Sequence, residues 1–247
     1  MIVDIKDAVA LTCSTAGFQE IVNDAMAHHL FFIHRARQVM IQRLLPAGAE
    51  IVDLGGANAP LHRMGYPHRF RRLTLVDLPD EERASDYQGI VVEAESTENG
   101  EVRVVYGDMT RAEMIEDASV DFAWSGQSIE HVSREDAAIM CDSVRRILKP
   151  GGRFCLDTPN RMVTAIHTRD WHGGYINPDH RYEYRPDELR SLLLDAGFDI
   201  DLEAGINAMV KTCETGSFDY ADFVLGNPLT DRIEEGYSLF FACSKPG

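Results

Sequence analysis

Five short apolar segments, each with glycine or polar residues at its end, constrain the fold of this chain more than any other feature. They are Ile51–Leu54, Leu73–Asp77, Val102–Tyr106, Val120–Trp124 and Arg153–Asp157. Their length and abrupt ends are typical of buried β-strands. We therefore expect a sheet with both faces covered.

Helical patterns lie before, between and after these strands. Apolar residues recur with a helical period from about Phe18 to Leu45 and from Ser133 to Lys149, where Ser133 is a suitable N-cap. A further helix is expected from Pro186 to Gly197, and further strands near Phe198–Leu202 and Tyr237–Cys243. Strands that alternate with helices predict parallel βαβ units and a doubly wound α/β sheet, which binds ligands at the carboxyl ends of its strands.

Acidic residues stand at or after the ends of the first three strands, in order. Asp53 lies just before Gly55, where a missing side chain lets a ligand approach the backbone. Asp77 ends the second strand, where a carboxylate can accept hydrogen bonds from both hydroxyls of a ribose. Asp108 follows the third and can accept one from an adenine amino group. Each acid alone is compatible with an ordinary turn or solvated loop, but the ordered set predicts a nucleotide-type site.

Two longer motifs continue the series. VDFAWSGQSIEHV covers Val120–Val132, and LKPGGRFCLDTPN covers Leu148–Asn160. Taken in order, the five motifs resemble the class I S-adenosylmethionine-dependent methyltransferases. In detail they resemble a branch with EHV after the fourth strand and TPNR after the fifth, similar to enzymes that methylate small molecules in glycan or secondary-metabolite pathways. The resemblance covers about Glu50 to Lys245.

The resemblance implies a fold, a cofactor and the residues that bind it. The fold is Rossmann-like, with a mostly parallel seven-stranded sheet, helices on both faces and an antiparallel last strand. The cofactor is S-adenosyl-L-methionine, and its implied binding residues are Asp53, Gly55, Gly56, Ala57, Asp77, Leu78, Asp108, Met109, Ser125 and Gln127. Asp53 and Gly55 would line its methionine part, Asp77 its ribose, Asp108 and Met109 its adenine, and Ser125 and Gln127 its sulfonium.

The first motif departs from the family, and the departure leaves two rival functions to weigh. Ala57 and Ala59 stand where the family usually has glycine, and the added methyl groups put cofactor affinity in question. A catalytically inactive S-adenosylmethionine-binding regulatory or partner protein is therefore the alternative function. A nicotinamide oxidoreductase is disfavoured, because Gly55 is followed by Ala57 and Pro60 where the dinucleotide fingerprint G-x-G-x-x-G/A needs other residues.

The chemistry of methyl transfer favours a histidine close to the cofactor. Positioning of the acceptor supplies much of the rate, and a hydroxyl acceptor gains from a base with a pKa near neutral. His131, in the EHV tripeptide, is the first candidate for a catalytic residue, and His180 is the second. A purely structural role for His131, ordering the loop at the start of a helix, is an equal alternative.

The stretch from Asn160 to Arg185 is the predicted substrate loop. It carries four arginines against three acids, and it is rich in aromatic rings and histidine, within a chain of 24 basic and 40 acidic residues. Arginine forks bind phosphate or carboxylate, and rings stack on sugars or bases. The predicted substrate-binding residues are Arg161, His167, Trp171, Arg181 and Tyr182. We expect a hydroxylated, sugar-like or anionic small-molecule acceptor that could be nucleotide-linked, with O-methylation as the reaction; an ordinary surface loop is the alternative.

The whole chain limits partners and location. A net charge of −16 repels phosphate backbones, so nucleic acid is not expected as a partner. Five scattered cysteines without CxxC spacing, no leader-like start and no long apolar run predict a cytoplasmic protein with no membrane and no metal, while a homodimer stays open. We expect residues 1–48 to form a helical cap or lid and residues 49–247 to form the catalytic domain.

Overall fold

A computed structural model describes residues 29–56, 59–83, 88–89, 93–169 and 174–247 of the chain. The helices are α1 (His29–Leu44), α2 (Arg134–Ile147), α3 (Arg161–His167), α4 (Pro186–Asp195), α5 (Val210–Thr215) and α6 (Tyr220–Leu225). The strands are β1 (Glu50–Leu54), β2 (Arg72–Asp77), β3 (Glu95–Ser96), β4 (Glu101–Tyr106), β5 (Val120–Gly126), β6 (Leu148–Pro159), β7 (Asp199–Ala208), β8 (Leu229–Thr230) and β9 (Gly236–Ser244). Single 3-10 turns occur at Leu61–Met64, Asp80–Glu82, Ile129–His131 and Ile233–Glu235.

In the described part of the chain, all nine strands form one sheet in the order β3-β4-β2-β1-β5-β6-β9-β7-β8. Strands β4, β2, β1, β5 and β6 run parallel, whereas β9 is antiparallel to both β6 and β7. The predicted α/β class and the antiparallel last strand are therefore confirmed. Seven strands are long, and β3 and β8, of two residues each, extend the two edges. The chain runs outward from β1 through β2 to β4 and then crosses back to β5, so the switch point lies beside β1.

The two faces of the sheet are buried against different helices. On one face, Val52 and Leu54 pack in a cluster with apolar residues of α2 and α4, such as Met140 and Leu189. On the other face, alternate residues such as Trp124 pack against α1. This period-2 alternation explains why the central strands β1, β2 and β5 are mainly apolar, as expected where a sheet is covered on both sides.

The predicted elements agree with the structure in their cores and differ at their ends. Helix α2 begins after Ser133, whose hydroxyl accepts a hydrogen bond from the backbone N–H of Asp136 at 3.1 Å, as an N-cap does. Strands β6 and β7 are longer than predicted, because both continue along β9. The stretch expected as a substrate loop begins instead with α3, which Asn160 caps by accepting a hydrogen bond from Met162 N–H.

The predicted N-terminal helix is described from His29 to its end at Leu44. Its expected beginning near Phe18 lies outside the described residues, and the division into a cap and a catalytic domain stays a prediction. None of the helices that the structure describes has both the length and the apolar character needed to cross a membrane.

Candidate active site

A cavity of about 620 Å³ lies at the carboxyl ends of the parallel strands. Helix α1 contributes Ile33, His34 and Arg37, and the C-terminal part of the chain contributes residues 176–181 and Tyr237. The remaining wall comes from the segments that follow β1, β2, β4, β5 and β6. The cavity therefore occupies the place where a doubly wound sheet binds its ligand, and its volume is typical of small-molecule sites.

Gly55 forms the turn after β1 and belongs to the cavity wall. Its φ is +74°, and a Cβ atom there would lie 2.7 Å from Cβ of Ser128 and 2.9 Å from Sδ of Met109. Both the backbone conformation and the close approach require glycine. Ala59, the second family departure, also lines the cavity, whereas Ala57 lies outside the described residues.

The acidic residues after β2 and β4 both reach the cavity. Asp77 and Asp108 line it together with their neighbours Leu78 and Met109. Asp77 also lies 3.4 Å from Nε of Arg83, an almost fully buried arginine that lines the same wall. Both acids therefore lie on the wall, and their binding of a ribose and of an adenine amino group stays a prediction.

Asp53 and Gly56, both predicted cofactor residues, lie behind the wall rather than on it. Asp53 is buried and accepts a hydrogen bond from the backbone N–H of Leu61 at 2.8 Å. A Cβ atom at residue 56 would lie 2.3 Å from Cγ of Asp53, so glycine leaves the room that this carboxyl needs. Burial raises the pKa of Asp53 to about 7. The carboxyl therefore joins the first turn to the segment that follows it.

Ser125 and Gln127, at the end of β5, lie in different surroundings. Ser125 is buried, and its hydroxyl lies 2.7 Å from that of Ser128, which donates to the carbonyl of Leu54 at 2.8 Å. Gln127 lines the cavity with a φ of +57°. Its amide group donates to Asp157 Oδ2 at 2.8 Å.

Asp157 also binds Arg37, a residue of α1 that sequence reasoning missed. Nε and Nη2 of Arg37 donate to the two oxygens of Asp157 at 2.7 and 3.0 Å, and both side chains are buried. The pair fastens α1 to the carboxyl end of β6, and so fixes the helix over the cavity.

Glu130, His131 and His180 form a polar cluster on the cavity wall, which we call the Glu-His-His cluster. One ligand-type atom from each residue lies within 4.8 Å of the others, and the rings of His131 and His180 meet edge to face at 4.9 Å. Burial raises the pKa of Glu130 to about 7. Burial, followed by the nearby charge of His180, lowers the pKa of His131 to about 4. At neutral pH the His131 ring is therefore uncharged.

Glu183 holds the segment that carries His180. Its carboxylate accepts from the backbone N–H of Ile176 at 2.8 Å, lies 2.8 Å from Nδ1 of His180, and accepts from the hydroxyl of Thr164. Burial opposes the charge of Glu183, but these hydrogen bonds outweigh it and lower the pKa. The next residue along from His180, Arg181, lines the cavity, and its backbone N–H donates to the carbonyl of Glu130 at 2.7 Å.

The other predicted substrate residues lie away from the cavity wall. Arg161 contacts the carbonyl of Gly174 at 3.2 Å and lies over the ring of Tyr175. Tyr182 donates to Glu188 and lies beneath Arg134. His167 is buried against Phe218, with ring centroids 3.6 Å apart, and its Nδ1 lies 2.7 Å from the hydroxyl of Tyr237. Their substrate-binding roles stay predictions, and Trp171 lies outside the described residues.

Several wall residues were missed by the reading of the sequence. Arg37, Arg83, Glu130 and Asp179 are the charged ones. Glu130 had a local signal, because it precedes His131 in the quoted EHV tripeptide. Arg37 had none, since its partner is 120 residues away.

Comparison with known proteins gives the family. Residues 26–203 match the family described as methyltransferase domain. A Mycobacterium tuberculosis protein named "Probable S-adenosylmethionine-dependent methyltransferase" is 38% identical over 117 residues, which cover 45% of this chain and 40% of that protein. This chain therefore spans about two fifths or less of the length of the curated relatives it matches.

Two solved structures share the fold. An S-adenosylmethionine-dependent methyltransferase of Thermotoga maritima has a TM-score of 0.57 and 20% identity, over 92% of this chain and 97% of the other. The Burkholderia thailandensis 1,6-didemethyltoxoflavin-N1-methyltransferase, solved with 1,6-didemethyltoxoflavin and S-adenosylhomocysteine bound, has a TM-score of 0.52 and 17% identity, over 100% and 92% of the two chains. The chain therefore belongs to the class I S-adenosylmethionine-dependent methyltransferase family.

Proposed function

We propose that this protein transfers the methyl group of S-adenosylmethionine to a hydroxyl group of a small, sugar-like molecule. One observation carries the proposal: a single cavity joins the acidic residues Asp77 and Asp108 to the Glu-His-His cluster. The first end suits a nucleoside, and the second suits an acceptor that must lose a proton. A cofactor-binding protein without catalysis needs only the first end.

The cofactor end would act through residues at the strand ends. Bound S-adenosylmethionine supplies a methyl group activated by a positively charged sulfur. Asp77 would accept from the ribose hydroxyls, Asp108 from the adenine amino group, and Met109 would pack on the adenine ring. Gly55 would let the cofactor approach the backbone, and Asp53, from behind, would keep the first turn in shape.

The acceptor end would orient the hydroxyl and remove its proton. His131 and His180 are the proposed catalytic residues, since both line the cavity beside each other. His180 is the better placed base, because Glu183 lies 2.8 Å from Nδ1 and can fix the ring with Nε2 free to accept a proton. His131, with its lowered pKa, would serve as an uncharged hydrogen-bonding partner.

We further propose that the acceptor is negatively charged. Arg181 brings a guanidinium group to the cavity next to His180, and such a fork suits a phosphate or carboxylate. The Burkholderia neighbour was solved with 1,6-didemethyltoxoflavin bound. An anionic, nucleotide-linked sugar would use both Arg181 and the polar cluster.

Methyl transfer to a panel of compounds tests the proposal. Purified protein is incubated with S-adenosylmethionine and with sugars, nucleotide-linked sugars and phenols, and products are identified by a mass increase of one methyl group. With an active acceptor, His180→Ala should lower kcat roughly 10²–10⁴-fold while the Kd for S-adenosylhomocysteine stays near that of the unaltered protein. The control is His68→Ala, because His68 contacts the carbonyl of Leu45 and does not line the cavity. Cofactor binding with no turnover on any compound would favour the inactive alternative.

A further inference from the structure

We infer that the Glu-His-His cluster binds one divalent transition-metal ion. Glu130 and His180 are buried, His131 is half-buried, and all three line the cavity. Two imidazoles and one carboxylate are a donor set that proteins use for zinc and for non-haem iron. The sequence led us to expect no metal, because its cysteines are scattered without metal-ligand spacing. The fold supplies the set by bringing residue 180 to residues 130 and 131.

The carboxylate of Glu130 gives an independent reason to place a cation here. Its Oε2 accepts a hydrogen bond from the hydroxyl of Thr158 at 2.9 Å. Its Oε1 is buried and has no hydrogen-bond partner among the described residues. A buried polar atom without a partner is costly, and a cation is the partner that a carboxylate oxygen accepts most strongly. His131 and His180 are the other potential metal ligands near this carboxylate.

The surroundings of His180 match those of a metal ligand. Its Nδ1 lies 2.8 Å from Oε1 of Glu183. When Nδ1–H donates to that carboxylate, Nε2 carries the lone pair that a metal needs, as in carboxylate–histidine–metal arrangements. Glu183 is itself fixed by the hydroxyl of Thr164 and the backbone N–H of Ile176. The ring is therefore held in one orientation before any ion binds.

The ligand types select the ion. Imidazole nitrogen favours Zn²⁺ or Fe²⁺, whereas Mn²⁺ and Mg²⁺ prefer oxygen ligands and Mg²⁺ retains its waters. Ligand atoms around a tetrahedral ion lie roughly 3.3 Å apart at bond lengths of about 2.0–2.1 Å. The three atoms here lie within 4.8 Å of one another, so small side-chain movements complete the site. Three protein ligands leave a coordination position open toward the cavity.

The bound ion would take part in the proposed methyl transfer. This catalytic role rests on the proposed function, whereas metal binding itself does not. An acceptor hydroxyl that binds at the open position loses its proton to solvent at a lower pH, because the ion stabilises the alkoxide. With the ion bound, the two histidines act as ligands and the ion does the work otherwise assigned to an imidazole. The oxidation state of the metal does not change.

Metal binding is measured without any methyl acceptor. Tag-free full-length protein is treated with EDTA, dialysed and titrated with Zn²⁺, Mn²⁺ or Mg²⁺ in a calorimeter. We expect one Zn²⁺ per chain, weaker binding of Mn²⁺ and no saturable heat with Mg²⁺. Glu130→Gln and His180→Asn should each weaken Zn²⁺ binding roughly 100-fold or more. Glu183→Gln, which alters the support of His180 and leaves all three ligand side chains in place, should weaken it about 10–100-fold.

Two controls keep the result interpretable. His34→Asn removes a cavity imidazole outside the cluster and should change the Zn²⁺ affinity less than about threefold. Each variant is checked by circular dichroism, and His131→Asn, at the half-buried ligand, replaces any variant that fails to fold. No stoichiometric Zn²⁺ binding, binding unchanged in the cluster variants, or Mg²⁺ binding as tight as Zn²⁺ binding would each overturn the inference. Titration of the same metal-free protein with S-adenosylhomocysteine separates this outcome from failure of the methyltransferase proposal.

Discussion

Arg37 and Asp157 form a two-point salt bridge that is buried within the protein, with nitrogen–oxygen distances of 2.7 and 3.0 Å. The pair joins α1 to β6 across 120 residues of sequence. Gln127 donates to the same carboxylate from the end of β5. Three elements of the cavity wall thus meet at one carboxyl group, and the shape of the site depends on it.

Removing one partner of this pair should strongly destabilise the fold. Asp157→Ala leaves a buried guanidinium without its counter-charge, so the free energy of unfolding should fall by about 3–5 kcal/mol. Urea denaturation followed by circular dichroism measures it. The control is Arg153→Ala, which breaks the exposed pair with Asp201 at 3.2 Å and should cost at most about 1 kcal/mol. Equal losses in the two variants would show that the buried pair has no special role.

Gly151 and Gly55 have similar φ angles but different surroundings. Comparing their alanine variants distinguishes the cost of the left-handed backbone from the cost of a steric clash. Gly151 has a φ of +71°, and a Cβ atom there meets nothing within 4 Å of the described structure, whereas one at Gly55 meets Ser128 and Met109. Gly151→Ala should therefore cost only the left-handed conformation, about 1–2 kcal/mol. Gly55→Ala should cost more and should also weaken S-adenosylhomocysteine binding at least about tenfold. Identical unfolding free energies and affinities for both variants would contradict the placement of Gly55.

The buried carboxyl of Asp53 predicts a pH dependence of stability. Its pKa is raised by burial to about 7 in the folded protein and is about 3.9 in an unfolded chain. Between these values the folded protein holds the proton that the unfolded chain loses, so this group lowers stability as pH rises from about 4 to 7. Asp53→Asn removes the effect, and its unfolding free energy relative to the unaltered protein should therefore increase with pH across that window.

Denaturation curves at several pH values between 4.5 and 7.5 measure whether the relative unfolding free energy of Asp53→Asn increases with pH. Asp231→Asn, at an exposed position, corrects for the loss of one acidic charge. A relative stability of Asp53→Asn that falls with pH would mean that the carboxyl is ionised in the folded protein.

Arg181 should contribute to binding of the acceptor but not to binding of the cofactor. Removal of a charge-assisted contact in Arg181→Ala should raise KM for an anionic acceptor with little change in the Kd for S-adenosylhomocysteine, and added salt should weaken acceptor binding. Arg161→Ala is the comparison, because Arg161 is engaged with Gly174 and Tyr175 away from the wall, and a smaller effect is expected. Steady-state kinetics with the first active acceptor measure both. Indifference to salt and to Arg181 would indicate a neutral acceptor.

The features that sequence predicted are those with a local pattern. The central strands are mainly apolar, and acids at or just after strand ends, such as Asp77 and Asp108, lie on the cavity wall. The N-cap Ser133 was likewise visible in the sequence. Helix α3 also had a signal, because Asn160 is a good N-cap, but the richness of the following stretch in arginine and rings favoured a loop.

The features that sequence could not predict depend on packing between distant segments. Nothing near Arg37 points to Asp157, and nothing near His167 points to its stacking on Phe218. The two-residue strand Glu95–Ser96 exists because β4 offers an edge, and its own residues carry no strand pattern. The Glu-His-His cluster falls in the same class, since His180 joins it only through the fold.

Calorimetric titration with S-adenosylhomocysteine is the decisive measurement for the cofactor site. We expect one molecule bound per chain, with affinity weakened by about 1.5–3 kcal/mol in Asp77→Ala, because a charged hydrogen-bond acceptor on the cavity wall is lost. Asp231→Asn should bind as the unaltered protein does. Absence of binding by the unaltered protein, or an affinity that Asp77→Ala leaves unchanged, would show that the cavity is not the cofactor site.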